Sequence, residues 1–151
     1  MQVRVAGDAD LETVARLRVA FLEDDDRGGG VSPEQLRAAT RAYVEGALAD
    51  GSLVSWLAED GDEAVGIVSM LVAWAPPRPS DLRTKRAYVV NMYVRPTHRG
   101  RGIGQALLDA LVAESQARGL RALHLYATAS GRPLYERNGF VPNDAWMELP
   151  L

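Results

Sequence analysis

The chain has no cysteine. Disulfides, thiolate metal ligands and cysteine nucleophiles are therefore excluded, no metal site is expected, and nothing points to an oxidising compartment. Lysine is almost absent too, with Lys85 alone against sixteen arginines. No long apolar run occurs. The longest stretch, Ala64 to Ala75, is too short to span a bilayer, and the opening "MQVRVAGDAD" lacks an apolar signal core. The expectation is a cytoplasmic protein with no membrane partner. A net charge of −3 also argues against a nucleic-acid partner, which calls for a broad basic face.

What is present is ordinary for a soluble domain: 151 residues, 47% apolar and 25% charged, enough for a single core spanning 1–151. The charge is unevenly placed. Arg95, Arg99 and Arg101 fall within seven residues that contain no acid. Such a basic spot on an acidic body suits a compact anionic ligand.

Periodicity and turn chemistry give an element order. "VRVA" reads as a short strand, and Asp8 as the cap of a helix carrying Leu11, Val14, Leu17, Arg18 and Phe21 at helical spacing. A second helix opens at "SPEQL", where Ser32 caps, Pro33 takes the first helical position and Gln35 completes a capping box. "SLVSWLAED" and "EAVGIVSMLVAW" around an Asp-Gly turn form a hairpin. Another strand, Ala87 to Val94, leads into glycines 100, 102 and 104 and then an amphipathic helix ending at Gly119. "RALHLYAT" is a strand, "SGRPLYERNG" a short helix and "AWMELP" a last strand. The order β-α-α-β-β-β-α-β-α-β predicts an α/β (α+β) fold. Its sheet should be mixed and mostly antiparallel, with six to seven strands flanked by about four helices.

A strand, a glycine-rich turn and a helix present unpaired N–H groups at the positive end of a helix dipole, a natural seat for phosphate. The nucleotide-loop and dinucleotide patterns both fail here: no Lys-Ser/Thr follows these glycines, and no third glycine stands where G-x-G-x-x-G needs it. Read by itself, the turn is either an anion nest or a tight connection with surface arginines.

The run from Val94 to Gly104 resembles the acyl-CoA signature of the GNAT superfamily of N-acetyltransferases, Arg/Gln-x-x-Gly-x-Gly/Ala, with Arg99, Gly102 and Gly104 in its three places. "LYERNGF", Leu134 to Phe140, resembles that superfamily's second signature. The resemblance implies acetyl-CoA as cosubstrate and a small-molecule or peptide amine as acceptor, acylated by direct attack in a ternary complex. It implies that two strands splay to admit pantetheine. Backbone groups of Met92, Tyr93 and Val94 would pair with that arm, and Arg99, Gly100, Arg101, Gly102, Ile103 and Gly104 would hold the phosphates. Tyr135 would be the general acid. A homodimer comes into consideration by the same resemblance.

Two departures leave the general base unassigned. Val90 stands where many relatives carry a carboxylate, and Thr128 where they carry asparagine. A water near Asn91 or Tyr126 is one candidate. His98 and His124 read as rim and packing residues. The acidic stretch Asp24, Asp25 and Asp26 reads either as a solvated helix end or as an attractor for a cationic amine. A domain that binds acyl-CoA without turning it over is the alternative function.

Overall fold

A computed structural model describes residues 1–25 and 29–151 of the chain. Strand β1 (Gln2–Val5) is followed by a short 3-10 turn and by helices α1 (Leu11–Asp24) and α2 (Pro33–Ala49). Strands β2 (Leu53–Asp60), β3 (Glu63–Trp74) and β4 (Lys85–Val94) come next, then α3 (Ile103–Ala117), β5 (Leu123–His124) and α4 (Arg132–Arg137). The strands lie in one sheet in chain order. β1 to β4 are antiparallel, and β5 joins β4 in parallel through the α3 crossover.

The two faces of the sheet are covered by different helices. On one face α1 and α2 bring Val14, Leu17 and Val44 against Leu57, Ile67 and Tyr93. On the other, Leu107, Leu108 and Leu111 of α3 meet Val65, Val68 and Met70. Alternation along β3 sends Ile67 to the first face and Val68 to the second, as a strand buried on both sides requires. The capping box forms as expected: Gln35 N–H donates to Ser32 Oγ at 3.1 Å, and Ser32 N–H donates to Gln35 Oε1 at 2.9 Å.

The start of α1 differs from expectation. Asp8 lies in the 3-10 turn, and Asp10, two residues later, takes the N-cap position of the helix without a side-chain cap bond. The Asp10 carboxylate accepts from Gly7 N–H at 2.8 Å and from both terminal nitrogens of Arg4 at 2.8 Å. Arg4 also donates to Glu59, so one guanidinium ties β1 and β2 to the start of α1. Its hydrogen bonds hold the Asp10 carboxyl below the usual carboxylate range.

Five strands form among the described residues, not six or seven, and "AWMELP" is not one of them. Pro142 has no N–H to give a ladder, and Asn143 Oδ1 accepts from Ala145 N–H at 3.0 Å. That local turn competes with strand pairing at the point where a ladder would begin. β5 is also shorter than "RALHLYAT" suggests, being limited to Leu123 and His124.

One irregularity shapes everything that follows. Ile67 pairs with Tyr93 but Ser69 pairs with Val90, so Asn91 and Met92 together face Val68. This is a β-bulge, and Asn91 occupies it with φ 59°. The extra residue resets the alternation, so Val89, Met92 and Val94 share the α3 face while Val90 and Tyr93 share the other.

Candidate active site

β5 leaves β4 after two residue pairs, Ala87 with Leu123 and Tyr88 with His124. From Val89 to Val94 the same edge of β4 has no ladder partner among the described residues, a stretch of roughly 20 Å at strand spacing. A cleft of about 570 Å³ opens there. Its walls are the end of α1, the β4 edge, the glycine turn, and α4 with Tyr126 and Thr128 before it.

The turn is made by backbone geometry. Gly100 has φ 76° and Gly102 has φ 78°, left-handed values that a side chain would strain. Ala106 N–H, bonded to Gly102 carbonyl, is the first helical donor, so the N–H groups ahead of it form the open N-terminal turn of α3. Gly104 is already inside the helix, where its bare Cα faces Leu134 of α4.

The arginines part company. Arg99 lines the cleft: its Nε donates to Val94 carbonyl at 2.9 Å, its Nη2 reaches Asp24 at 2.6 Å, and its guanidinium lies 5.8 Å from the centre of the Tyr93 ring. Arg101 lies outside the cleft lining, 4.0 Å from Asp60 at the β2–β3 turn. Of the residues expected around the phosphates and pantetheine, Met92, Tyr93, Val94, Gly100, Gly102, Ile103 and Gly104 line the cleft with Arg99. His98 is a rim residue, bonded to Thr97 at 2.8 Å and 3.6 Å from Asp60. His124 packs on Tyr88 with ring centres 5.5 Å apart.

Tyr135 projects from α4 into the same cleft. Its ring is buried and meets Phe140 edge-on at 5.5 Å. No buried side-chain oxygen or nitrogen among the described residues lacks a partner, and the Tyr135 hydroxyl has none among them, so it is open to the cleft that Tyr135 lines. Burial pushes its pKa up to about 12, which keeps the phenol protonated. Just ahead of α4, Thr128 Oγ1 accepts from Gly131 N–H at 3.0 Å. Gln105 and Asn138 exchange side-chain amide bonds at 2.8 and 2.9 Å and lock α4 to α3, fixing Tyr135 relative to the turn.

The opposite wall holds a polar chain that the sequence did not announce. Arg18 of α1 donates to Asn91 Oδ1 at 2.5 Å, and Asn91 Nδ2 donates to Ser69 Oγ at 3.1 Å. Ser69 Oγ in turn pairs with Ser55 Oγ at 2.8 Å. Both serines and Asn91 are buried. The Asn91 side-chain amide is thus engaged on both its oxygen and its nitrogen by protein partners. The visible signal was an arginine inside the otherwise apolar stripe Leu11, Val14, Leu17, Phe21. Among the described residues, Asp24 and Asp25 are the only carboxylates lining the cleft, while Asp26 falls outside the described residues. Val90 packs against the α1 layer and offers no proton acceptor.

Comparison with known proteins bears on the fold and the family. The family model described as "Acetyltransferase (GNAT) family" matches residues 17–140. A Clostridium acetobutylicum protein described as a predicted acetyltransferase and solved with acetyl-CoA superposes with a TM-score of 0.91 at 30% identity, over 99% of this chain and 95% of that one. A GCN5-related N-acetyltransferase from Ralstonia eutropha superposes with a TM-score of 0.85 at 38% identity, over 99% and 97%. In sequence, a mycothiol acetyltransferase of Beutenbergia cavernae is 38% identical over 96 residues, 62% of this chain and 30% of that protein. A glucosamine 6-phosphate N-acetyltransferase of Trypanosoma brucei brucei is 30% identical over 89 residues, 58% of this chain and 57% of its own length. The matches thus span from under a third to just over half of those two relatives. The family model spans most of the sequence, residues 17–140, and this chain belongs to the GNAT acetyltransferases.

Proposed function

We propose that the protein transfers an acetyl group from acetyl-CoA to a primary amine, the amine attacking directly while both substrates are bound. The observation that carries this reading is the unpaired edge of β4, which runs from the glycine turn along a cleft that also holds the Tyr135 hydroxyl. That edge suits the amide-bearing pantetheine arm, which pairs with a free strand as an added strand does. The N–H groups from Gly100 to Gly104 suit a diphosphate, and Arg99 adds charge beside them. What acetyl-CoA supplies is a thioester, an acetyl group already activated for transfer.

The chain's own part is positioning and charge stabilisation. Tyr135 keeps its proton and donates a hydrogen bond to the sulfur as negative charge develops there. A thiol titrates near 8.5, so complete transfer from a phenol near 12 runs about 3 to 4 units uphill, and hydrogen bonding is the larger part of its role. The Ralstonia neighbour and the trypanosomal relative, both N-acetyltransferases, support a nitrogen acceptor. Thiol release from acetyl-CoA across a panel of small amines and peptide N-termini tests the reading. Binding of acetyl-CoA without thiol release from any amine favours the second reading, a domain that binds acyl-CoA without transfer, for which Val90 in place of a carboxylate speaks.

A further inference from the structure

The glycine turn and Arg99 suit the diphosphate of acetyl-CoA, but the cofactor carries a further phosphate, on the 3′ position of its ribose. Arg101, expected with Arg99 around the phosphates, is turned instead toward Asp60, 4.0 Å away. Resting on the acetyl-CoA reading, we infer that Arg137, in the last turn of α4, receives the 3′-phosphate. Arg137 is then the residue by which the site selects coenzyme A over forms that lack this group.

Its position follows from the way α4 meets α3. Leu134 faces Gly104 in the first turn of α3, where a Cβ on Gly104 would sit 3.5 Å from Leu134 Cδ2. Arg137 comes three residues later, on the same side of α4 and about 4.5 Å further along it. The next residue, Asn138, exchanges amide bonds with Gln105, so the end of α4 that carries Arg137 is fixed beside the turn. Order along the ligand matches order along the protein. With the thioester at Tyr135 and the diphosphate at the open N–H groups ahead of Ala106, the ribose and its phosphate come after the turn. Arg137 is exposed and lines the same cleft.

Charge and bonding point the same way. Glu136, the acid next to Arg137 in the chain, is taken by Arg132 at 3.4 Å. Arg99 is held by Asp24 and by the Val94 carbonyl. Arg137 has no hydrogen bond or ion pair with any described residue. It can therefore meet an incoming phosphate without first giving up a partner, whereas Arg99 must leave Asp24 to do so. A phosphate monoester carries about 1.5 to 2 negative charges at pH 7. The forked donors of a guanidinium match its oxygens, and Lys85, the one lysine of the chain, is not among the cleft residues. Two arginines on different elements, Arg99 before α3 and Arg137 on α4, thus serve two anionic groups that the ligand itself holds apart.

The test measures binding of coenzyme A and of 3′-dephospho-coenzyme A to the full chain by calorimetry, two ligands that differ only in this phosphate. Coenzyme A is expected to bind about five- to tenfold more tightly, with the difference shrinking as salt is raised. Arg137→Met should bring the two affinities within about twofold of each other by weakening coenzyme A alone, and Arg137→Lys should keep part of the preference. Arg101→Met should leave the preference unchanged. Thermal melts of each variant establish folding, and Arg137→Gln takes the place of Arg137→Met if the latter does not fold. Equal affinities in the unaltered protein overturn the inference and leave the acetyl-CoA reading in place. An Arg137→Met variant that keeps the full preference overturns it too. So does one that weakens both ligands by the same factor, because the guanidinium would then hold the diphosphate. Failure of both ligands to bind overturns the acetyl-CoA reading itself, and the inference falls with it.

Discussion

Arg99 Nη2 lies 2.6 Å from Asp24 Oδ2, so the glycine turn is tied across the mouth of the cleft to the last residue of α1. Both side chains are about half exposed, at 47% and 39%, and such pairs contribute little to stability. Their position matters more than their strength. A diphosphate arriving at the turn competes with Asp24 for Arg99 and is repelled by the same carboxylate. Asp24→Asn is therefore expected to tighten coenzyme A binding by roughly two- to fivefold at low salt, with the gain shrinking as salt is raised. Calorimetry at two ionic strengths checks this. Weaker binding would show instead that Asp24 holds the turn in its binding shape.

Tyr135→Phe keeps the ring that packs on Phe140 and removes only the hydroxyl. A hydrogen bond to a developing charge is worth about 1.5–3 kcal/mol, so kcat should fall roughly 10- to 100-fold. Affinity for acetyl-CoA should stay within about twofold, which separates catalysis from packing. The same variant has a signature in stability. The folded pKa of Tyr135 is raised to about 12 from its ordinary 10, so folding favours the neutral phenol. That contribution is complete below pH 10 and is lost as pH rises from 10 through 12. Urea melts across that window should show a decline that Tyr135→Phe lacks.

Local chemistry was legible in the sequence, and long-range geometry was not. The Ser32–Gln35 capping box, the β2–β3 hairpin and the glycine turn each depend on residues within a few positions of one another, and each appears where expected. The bulge at Asn91 is different. Asn91 is the one polar break in "YVVNMYV", and with apolar residues on both sides of it the reset of the alternation leaves no further trace. The Arg18–Asn91 contact joins residues 73 apart in the chain, and only the bulge brings them together. "AWMELP" has strand composition, yet Pro142 and the Asn143 turn redirect the backbone before pairing starts. Arg101 is a motif neighbour of Arg99, but the left-handed glycines on either side of it turn it toward Asp60.

Gly66 is a strand glycine whose absent side chain sets how closely α3 lies on the sheet. A Cβ there would sit 3.2 Å from Leu107 Cδ1, 3.2 Å from the Tyr93 carbonyl oxygen and 3.3 Å from Ile103 Cγ2. The carbonyl belongs to the β4 backbone and cannot swing aside. Gly66→Ala is expected to cost about 1–3 kcal/mol, in line with overpacked cores, and to weaken coenzyme A binding by moving the first turn of α3. Gly46 in α2 provides the contrast, since nothing lies within 4 Å of its Cβ position. Gly46→Ala should stabilise by about 0.5–1 kcal/mol through helix propensity and leave binding unchanged. Urea midpoints and calorimetry on the two variants make the comparison.

The absence of a carboxylate at Val90 has a kinetic consequence. Val90 packs into the α1 layer, and Asn91 beside it is occupied by Arg18 and Ser69, so the bulge offers no side chain to take a proton from the amine. Asp24 is turned toward Arg99. On the proposed transferase reading, an enzyme without a base would draw the neutral amine from solution, where a primary amine with a pKa near 10 is about 0.1% unprotonated at pH 7. With acetyl-CoA saturating, kcat/KM for the amine should rise about tenfold per pH unit and level off only at the amine's own pKa. Amines of lower pKa should level off correspondingly earlier. A plateau below pH 8 that stays put when the amine is changed would belong to a group on the protein and would show that the cleft contains a base after all. Since the Tyr135 phenol remains protonated to about pH 12, no falling limb is expected from the acid within the measurable range.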